Sequence, residues 1–384
     1  MPGLLPNVDP DGLLEFSVVY TDRALNHMSR KFQGVMRDIA GVLEEVYHAH
    51  ACAVVPGSGS FGMEAVARQF ATDRKCLVLR NGWFSYRWTQ IFEMGRIPSE
   101  TVVLKARRSG DARLAPFAPA PIDEVAAAIR AERPAVVFAA HVETASGILL
   151  PDDYLAAVAA ATHEVGGLFV LDCIASGALW VDMAATGVDV LISAPQKGWS
   201  GPPGCALVML SALARERIDA TTSTSFACDL KKWLSIMETY KGGAHAYHTT
   251  MPTESLLRLR EVMFESRAAG FEQLRAQQWA LGTQVRAALA ARGYSSVAAP
   301  GFQAPGVVVS YTDDAEIRSG AKFIALGLQT ASGVPLQCDE PEGFSTFRIG
   351  LFGLEKLRHV ERTVQHLEKA LDAITEAQRP RQAA

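Results

Sequence analysis

A single lysine, Lys197, lies in the stretch Ser193-Ala194-Pro195-Gln196-Lys197-Gly198-Trp199-Ser200-Gly201-Pro202-Pro203-Gly204, directly after the apolar run Val188-Asp189-Val190-Leu191-Ile192. A lysine held at a strand end among small and apolar neighbours loses its proton more readily. Desolvation disfavours the ammonium, and a free amine can form a Schiff base. Three other features read as strand-end chemistry. Gly57-Ser58-Gly59-Ser60 opens a helical pattern and offers N–H groups and two hydroxyls to an anion. Asp172 closes the apolar run Leu168-Phe169-Val170-Leu171, where a buried carboxylate needs a partner. Trp83 follows Gly82 and could stack on a planar ring. Each also has an ordinary reading: a surface lysine, a plain turn, a helix cap, a core tryptophan. Taken together, a phosphate cradle, a carboxylate, a stacking aromatic and a lysine are what a pyridoxal phosphate site requires.

Such a site needs elements that bring these residues to one edge. Lys31 to Tyr47 spaces Val35, Ile39, Val42, Leu43 and Val46 as an amphipathic helix. Apolar strands then alternate with helices. Strands are expected at 53–55, 76–79, 135–139, 168–171, 188–192 and 206–210, with helices to about Phe70, from Ile122 to Ala131 and from Tyr154 to Val165. That alternation is the signature of a mostly parallel α/β sheet covered on both faces, whose ligands bind beyond the carboxyl ends of the strands. Near Pro252 the pattern changes to long helices over 254–292, strands at 306–310 and 346–349, a helix around 317–326 and a closing helix over 354–377. This predicts three parts: an irregular arm over residues 1–20 ending in a short strand at Phe16–Tyr20, a large domain over 21–253 and a smaller α+β domain over 254–384.

The chain resembles the class V pyridoxal-phosphate aminotransferases, nearest to the alanine–glyoxylate and serine–pyruvate group, over nearly its whole length. The stretches that carry this are Asn26-His27-Met28-Ser29-Arg30-Lys31-Phe32, Ser58-Gly59-Ser60, Gly82-Trp83, His141-Val142-Glu143-Thr144-Ala145-Ser146-Gly147 and Asp172-Cys173-Ile174-Ala175-Ser176. Gln196-Lys197 with Pro202-Pro203-Gly204, Tyr247-His248-Thr249-Thr250-Met251-Pro252 and Phe347-Arg348-Ile349-Gly350 complete the set. The resemblance implies a fold type I transferase with a seven-stranded sheet and pyridoxal 5′-phosphate as cofactor. It implies Lys197 as the Schiff-base lysine, Asp172 as partner of the pyridine nitrogen, Trp83 stacked on the ring and Thr144 near the ring hydroxyl. Ser58, Gly59, Ser60 and Gln196 would hold the phosphate. Tyr247 and Thr250 would reach the site of a neighbouring subunit in a homodimer, and Arg348 would bind the substrate carboxylate, a task suited to a planar bidentate cation. The chain departs from relatives in its arm, Ser17-Val18-Val19-Tyr20-Thr21-Asp22, at Ser60, where a bulkier residue is common, and at Pro195, where a serine is.

The implied activity moves an amino group from a small donor such as alanine or serine to a 2-oxo acid such as glyoxylate or pyruvate. A 2-aminoethylphosphonate-type aminotransferase is an alternative. So is a cysteine desulfurase-type lyase with Cys338 as sulfur acceptor, although Gln196 stands where those enzymes usually have histidine. Composition excludes other classes. Across 384 residues the net charge is −4, which gives no nucleic-acid footprint or polybasic membrane patch. The nine histidines show no metal-ligand spacing, and the six cysteines form no CxxC pair, as suits reduced thiols in a cytoplasmic protein. No apolar run reads as a membrane span and the start of the chain has no secretory pattern.

Overall fold

The computed structural model describes residues 13–378. A seven-stranded sheet forms its centre. In chain order the strands are β1 (Ala51–Pro56), β2 (Lys75–Arg80), β3 (Glu100–Lys105), β4 (Val136–Ala140), β5 (Leu168–Asp172), β6 (Val190–Ser193) and β7 (Cys205–Leu210). They lie in the order β1-β7-β6-β5-β4-β2-β3. Five adjacent strands, from β6 through β3, run parallel, whereas β7 is antiparallel to both β1 and β6. The register sets Asp172 of β5 opposite Ala140 of β4 and Ile192 of β6. The inner strands are buried along their whole length because both faces carry helices, which is why they read as unbroken apolar runs.

Among the helices are α1 (Arg30–Tyr47), α2 (Gly59–Phe70) and α3 (Trp83–Gly95), the last two starting at the carboxyl ends of β1 and β2. Ser29 caps α1 by accepting the Phe32 N–H at 3.1 Å, and Phe32, Val35, Met36, Ile39 and Leu43 form its buried face. A second, three-stranded sheet is built from β8 (Val307–Tyr311), β9 (Ala331–Ser332) and β10 (Thr346–Gly350), with β10 in the middle.

Several sequence expectations are corrected. Phe16–Tyr20 is not a strand: it pairs with no strand among the described residues, and Phe16 and Val18 are exposed. The first twelve residues of the arm lie outside the described residues. The long helices expected over 254–292 are found as Thr253–Ala269 and α4 (Phe271–Ala290), parted at Gly270 with φ +88°. The closing helix breaks at His359, and α3 and β3 carry no strong periodicity and are found only in the structure. Among the described residues no helix is long and apolar enough to cross a membrane, and no group of His, Cys, Asp or Glu could hold a metal ion.

Candidate active site

Strand β6 ends at Ser193, and the chain then turns tightly rather than entering a helix. Gly201 N–H donates to the Pro195 carbonyl at 2.8 Å and Ser200 N–H to that of Lys197 at 3.1 Å. Ser200 adopts φ +57° and its hydroxyl accepts the Leu354 N–H at 2.7 Å, tying the turn to the segment that follows β10. Trp199 is fully buried, and a Cβ on Gly198 would collide with the Gly177 carbonyl oxygen. The two residues that follow Lys197 are therefore fixed. Lys197 is half-buried and makes no hydrogen bond or ion pair among the described residues; its Nζ lies 5.1 Å from the centre of the Phe352 ring. Burial lowers the pKa of the amine, the charges of Arg348 and Arg87 lower it further, and only Asp172 opposes them.

Asp172 is buried at the end of β5, and one carboxylate oxygen accepts the Ile174 N–H at 2.8 Å. Desolvation pushes its pKa up to about 7. The Ile174 bond counters this, the charge of Glu143 adds to it, and Arg87 and Lys197 pull it down. Glu143 explains why α3 starts where it does. The N-cap position is Gly82, which has no capping side chain. The fully buried Glu143 carboxylate does the capping instead, accepting from Phe84 N–H at 3.1 Å, Ser85 N–H at 2.8 Å, Ser85 hydroxyl at 2.7 Å and Ala145 N–H at 3.0 Å. This fixes Trp83 and Phe84, which pack with Phe352 on one apolar cluster, and Thr144 lies buried beside Glu143.

At the end of β1, Ser58 is the N-cap of α2 and makes no side-chain cap bond, so its hydroxyl is uncommitted. The start of α2 packs against the loop after Asp172: a Cβ on Gly59 would meet Ile174 Cδ1, which would have to shift. Arg87, one turn into α3, donates from Nη1 to Ser60 Oγ at 3.0 Å and lies 5.0 Å from the centre of the Phe84 ring. Arg348, in the middle of β10, donates from Nε to the Ser332 carbonyl at 2.8 Å and lies 5.7 Å from the same ring. Burial lowers the pKa of its guanidinium, opposed by Glu143.

The structure thus gathers Lys197, Asp172, Trp83, Thr144, Ser58, Gly59, Ser60 and Arg348 around one edge of the sheet. Gln196 is in the same turn but exposed. Tyr247 and Thr250 stand apart. They are exposed, 3.3 Å from each other, with the Tyr247 ring 5.5 Å from that of His27. Sequence reasoning gave no role to Glu143, Phe84, Arg87 or Phe352. Arg87 carried no local signal in the sequence, because the helix that places it was not expected there. The residues fit pyridoxal phosphate. A helix start flanked by two serines and an arginine, with an uncommitted Ser58 hydroxyl, is a site for a phosphate. A buried carboxylate with a single hydrogen-bond partner among the described residues suits a protonated ring nitrogen, and a desolvated amine suits an aldehyde.

The sequence profile of the family described as "Aminotransferase class-V" matches residues 103–324. The 2-aminoethylphosphonate–pyruvate transaminase of Burkholderia ambifaria (strain MC40-6) is 27% identical over 330 residues, covering 85% of this chain and 83% of that one. The alanine–glyoxylate aminotransferase of Rattus norvegicus is 28% identical over 245 residues, 62% of this chain and 56% of its own. Among solved structures, an alanine–glyoxylate aminotransferase from Nostoc sp. superposes with a TM-score of 0.75 at 22% identity, over 91% of this chain and 88% of that one, which establishes the shared fold.

Proposed function

Because the chain belongs to the class-V aminotransferase family, a family of pyridoxal-phosphate enzymes, we propose that it moves an amino group from a small donor such as alanine or serine to a small 2-oxo acid, pyruvate or glyoxylate. One observation carries the reading. A half-buried lysine with a lowered pKa, a buried carboxylate and an arginine with no carboxylate partner among the described residues meet at one sheet edge. When bound, the cofactor supplies an aldehyde that captures an amine and a ring that accepts an electron pair from the adjacent carbon.

The protein's residues do the rest. Asp172 would pair with the ring nitrogen and stay ionised there. Ser58, Gly59 and Ser60 would hold the phosphate at the start of α2, with Gln196 from the lysine turn. Trp83 would stack on the ring, and Thr144 would bond near its hydroxyl. Arg348 holds the substrate carboxylate with a planar fork whose position is set by the Ser332 carbonyl and the Phe84 ring. Lys197 Nζ, whose pKa is lowered by desolvation and by the charges of Arg348 and Arg87, takes and returns a proton at the substrate carbon. Its turn is anchored on both sides, so little reorganisation accompanies the transfer.

A homodimer is part of the proposal. Tyr247 and Thr250 are exposed and their hydroxyls lie 3.3 Å from each other, with no hydrogen bond to the Lys197 cluster among the described residues, as suits residues serving a neighbouring subunit's phosphate. The division into an arm to residue 20, a large domain over 21–253 and a small one over 254–384 is supported by the two sheets falling on either side of residue 253. A cytoplasmic place is supported by six cysteines that are all free. A second reading, with 2-aminoethylphosphonate as donor, is favoured by the relatives that act on it. A desulfurase is not favoured. Cys338 is buried, its thiol lies 3.4 Å from the Arg80 carbonyl, and burial raises its pKa to about 12, so it is neither ionised nor accessible as a sulfur acceptor.

The test is a panel of alanine, serine and 2-aminoethylphosphonate against pyruvate and glyoxylate, with amino products measured by mass spectrometry. Transfer from one of these donors is the expected result. Sulfide from cysteine with no amino transfer would refute the reading.

A further inference from the structure

Two half-buried guanidinium groups flank one ring. Arg87 and Arg348 both lie against Phe84, so they are no farther apart than their two distances to its centre combined. Neither has a carboxylate partner among the described residues, and their polar contacts, the Ser60 hydroxyl and the Ser332 carbonyl, carry no charge. Lys197 adds a third cation. On the other side stand the carboxylates of Asp172 and Glu143, the second with both oxygens engaged at the start of α3, and neither is bonded to a guanidinium. Partly buried charge is costly unless a partner arrives. The two guanidinium groups gain such partners when two anions enter. One is the substrate carboxylate at Arg348. The other must lie where Arg87 meets Ser60.

We infer that Arg87 is the counter-charge of the cofactor phosphate, held against the first turn of α2 through Ser60. This rests on the cofactor assignment above. The short Ser60 side chain lets a guanidinium on α3 reach the anion site, and a planar fork can bond the hydroxyl and a phosphate oxygen at once. Arg87 also lowers, with Arg348, the pKa of the Lys197 amine, so its charge couples cofactor holding to the reactive amine.

The experiment compares binding of pyridoxal phosphate with that of pyridoxal, which lacks the phosphate, to the cofactor-free protein. Tryptophan fluorescence and equilibrium dialysis give the affinities, and thermal melts confirm folding. Arg87→Gln is expected to weaken pyridoxal phosphate binding by about 30-fold, the size of a charge-assisted hydrogen bond, with pyridoxal affinity within twofold of the parent. Arg87→Lys recovers part of the loss. Arg348→Gln keeps cofactor affinity and raises the KM of carboxylate donors. Equal losses for both ligands in Arg87→Gln would overturn the inference, since a merely structural role gives that result. Unchanged cofactor affinity with a raised donor KM would overturn it too and assign Arg87 to the substrate. Binding is read without turnover, so a parent protein that binds the cofactor but transfers no amino group refutes the reaction while this comparison still decides Arg87. A parent that binds neither ligand refutes both.

Discussion

At the scale of single residues, Lys197 and Asp172 lead to separate measurements. Lys197→Ala removes the one amine of the cluster, so the protein should lose the visible absorbance of covalently held cofactor and at least a thousandfold in turnover, on the order expected for a nucleophile and proton carrier in one group. Full turnover in that variant would reassign the site. Asp172 and His141 set opposing pH slopes in the cofactor-free protein. The folded pKa of Asp172 is raised to about 7, so the folded state holds a proton that the unfolded state has released above about 4. Stability from this group therefore falls as pH rises from about 4 to about 7. His141 is buried, with Nδ1 2.7 Å from Ser176 Oγ, and burial lowers its pKa to about 3, with the charge of Arg275 adding to that. There the unfolded state binds the extra proton, so stability is lost as pH falls from about 6.5 to about 3. The two slopes oppose each other between about pH 4 and 6.5. Asp172→Asn should unmask stability that rises with pH, and His141→Asn the reverse, by up to a few kcal/mol in urea titrations at each pH. Arg348, in mid-strand, was reached through the family resemblance, whereas Lys197, Asp172 and the Ser58–Ser60 turn were legible because each is a chemical residue type at an abrupt end of an apolar run. Arg87 and Phe352 were not, because nothing local distinguishes an arginine inside a helix, or a phenylalanine after a strand, from a surface or core residue.

Among the elements, α3 depends most on a distant side chain. Its cap comes from Glu143, which lies in a short hairpin ribbon rather than beside the helix in sequence. Glu143→Ala should cost about 3 kcal/mol in denaturant unfolding by leaving the first N–H groups of a helix unpaired in a buried site. It should also lower the pKa of Asp172, because a like charge is gone. A drop in stability with no change in that titration would separate capping from electrostatics and refute the second role. The inner strands β4, β5, β6 and β7 were readable as apolar runs, but their order was not, since pairing is decided by which helices cover which face. The break at Gly270 was hidden because helical periodicity continues on both sides of it. The arm failed in the opposite way: Phe16 and Val18 alternate with polar residues as in a strand, yet no neighbouring strand is there to bond them.

Over the whole molecule, the site spans two sheets, and Gln278 of α4 holds them in register. This fully buried side chain donates to the Pro305 carbonyl at 3.3 Å and the Leu351 carbonyl at 3.2 Å, and accepts the Ala178 N–H at 3.5 Å. It thereby joins the loop after Asp172 to the strand end just beyond Arg348. Gln278→Leu should lower stability by about 2 kcal/mol by orphaning buried backbone groups and raise KM several-fold with cofactor affinity retained; an unchanged KM would show that Arg348 does not rely on this link. The antiparallel course of β7 has a consequence for how the polypeptide is made. β1 is an edge strand whose one neighbour in the sheet is β7, so on the ribosome residues 51–56 wait unpartnered until residues 205–210 have emerged, some seconds later at ordinary elongation rates. The phosphate cradle that follows β1 is therefore assembled late, and nascent chains halted before residue 205 should show rapid amide exchange across residues 51–56 and no capture of the vitamin.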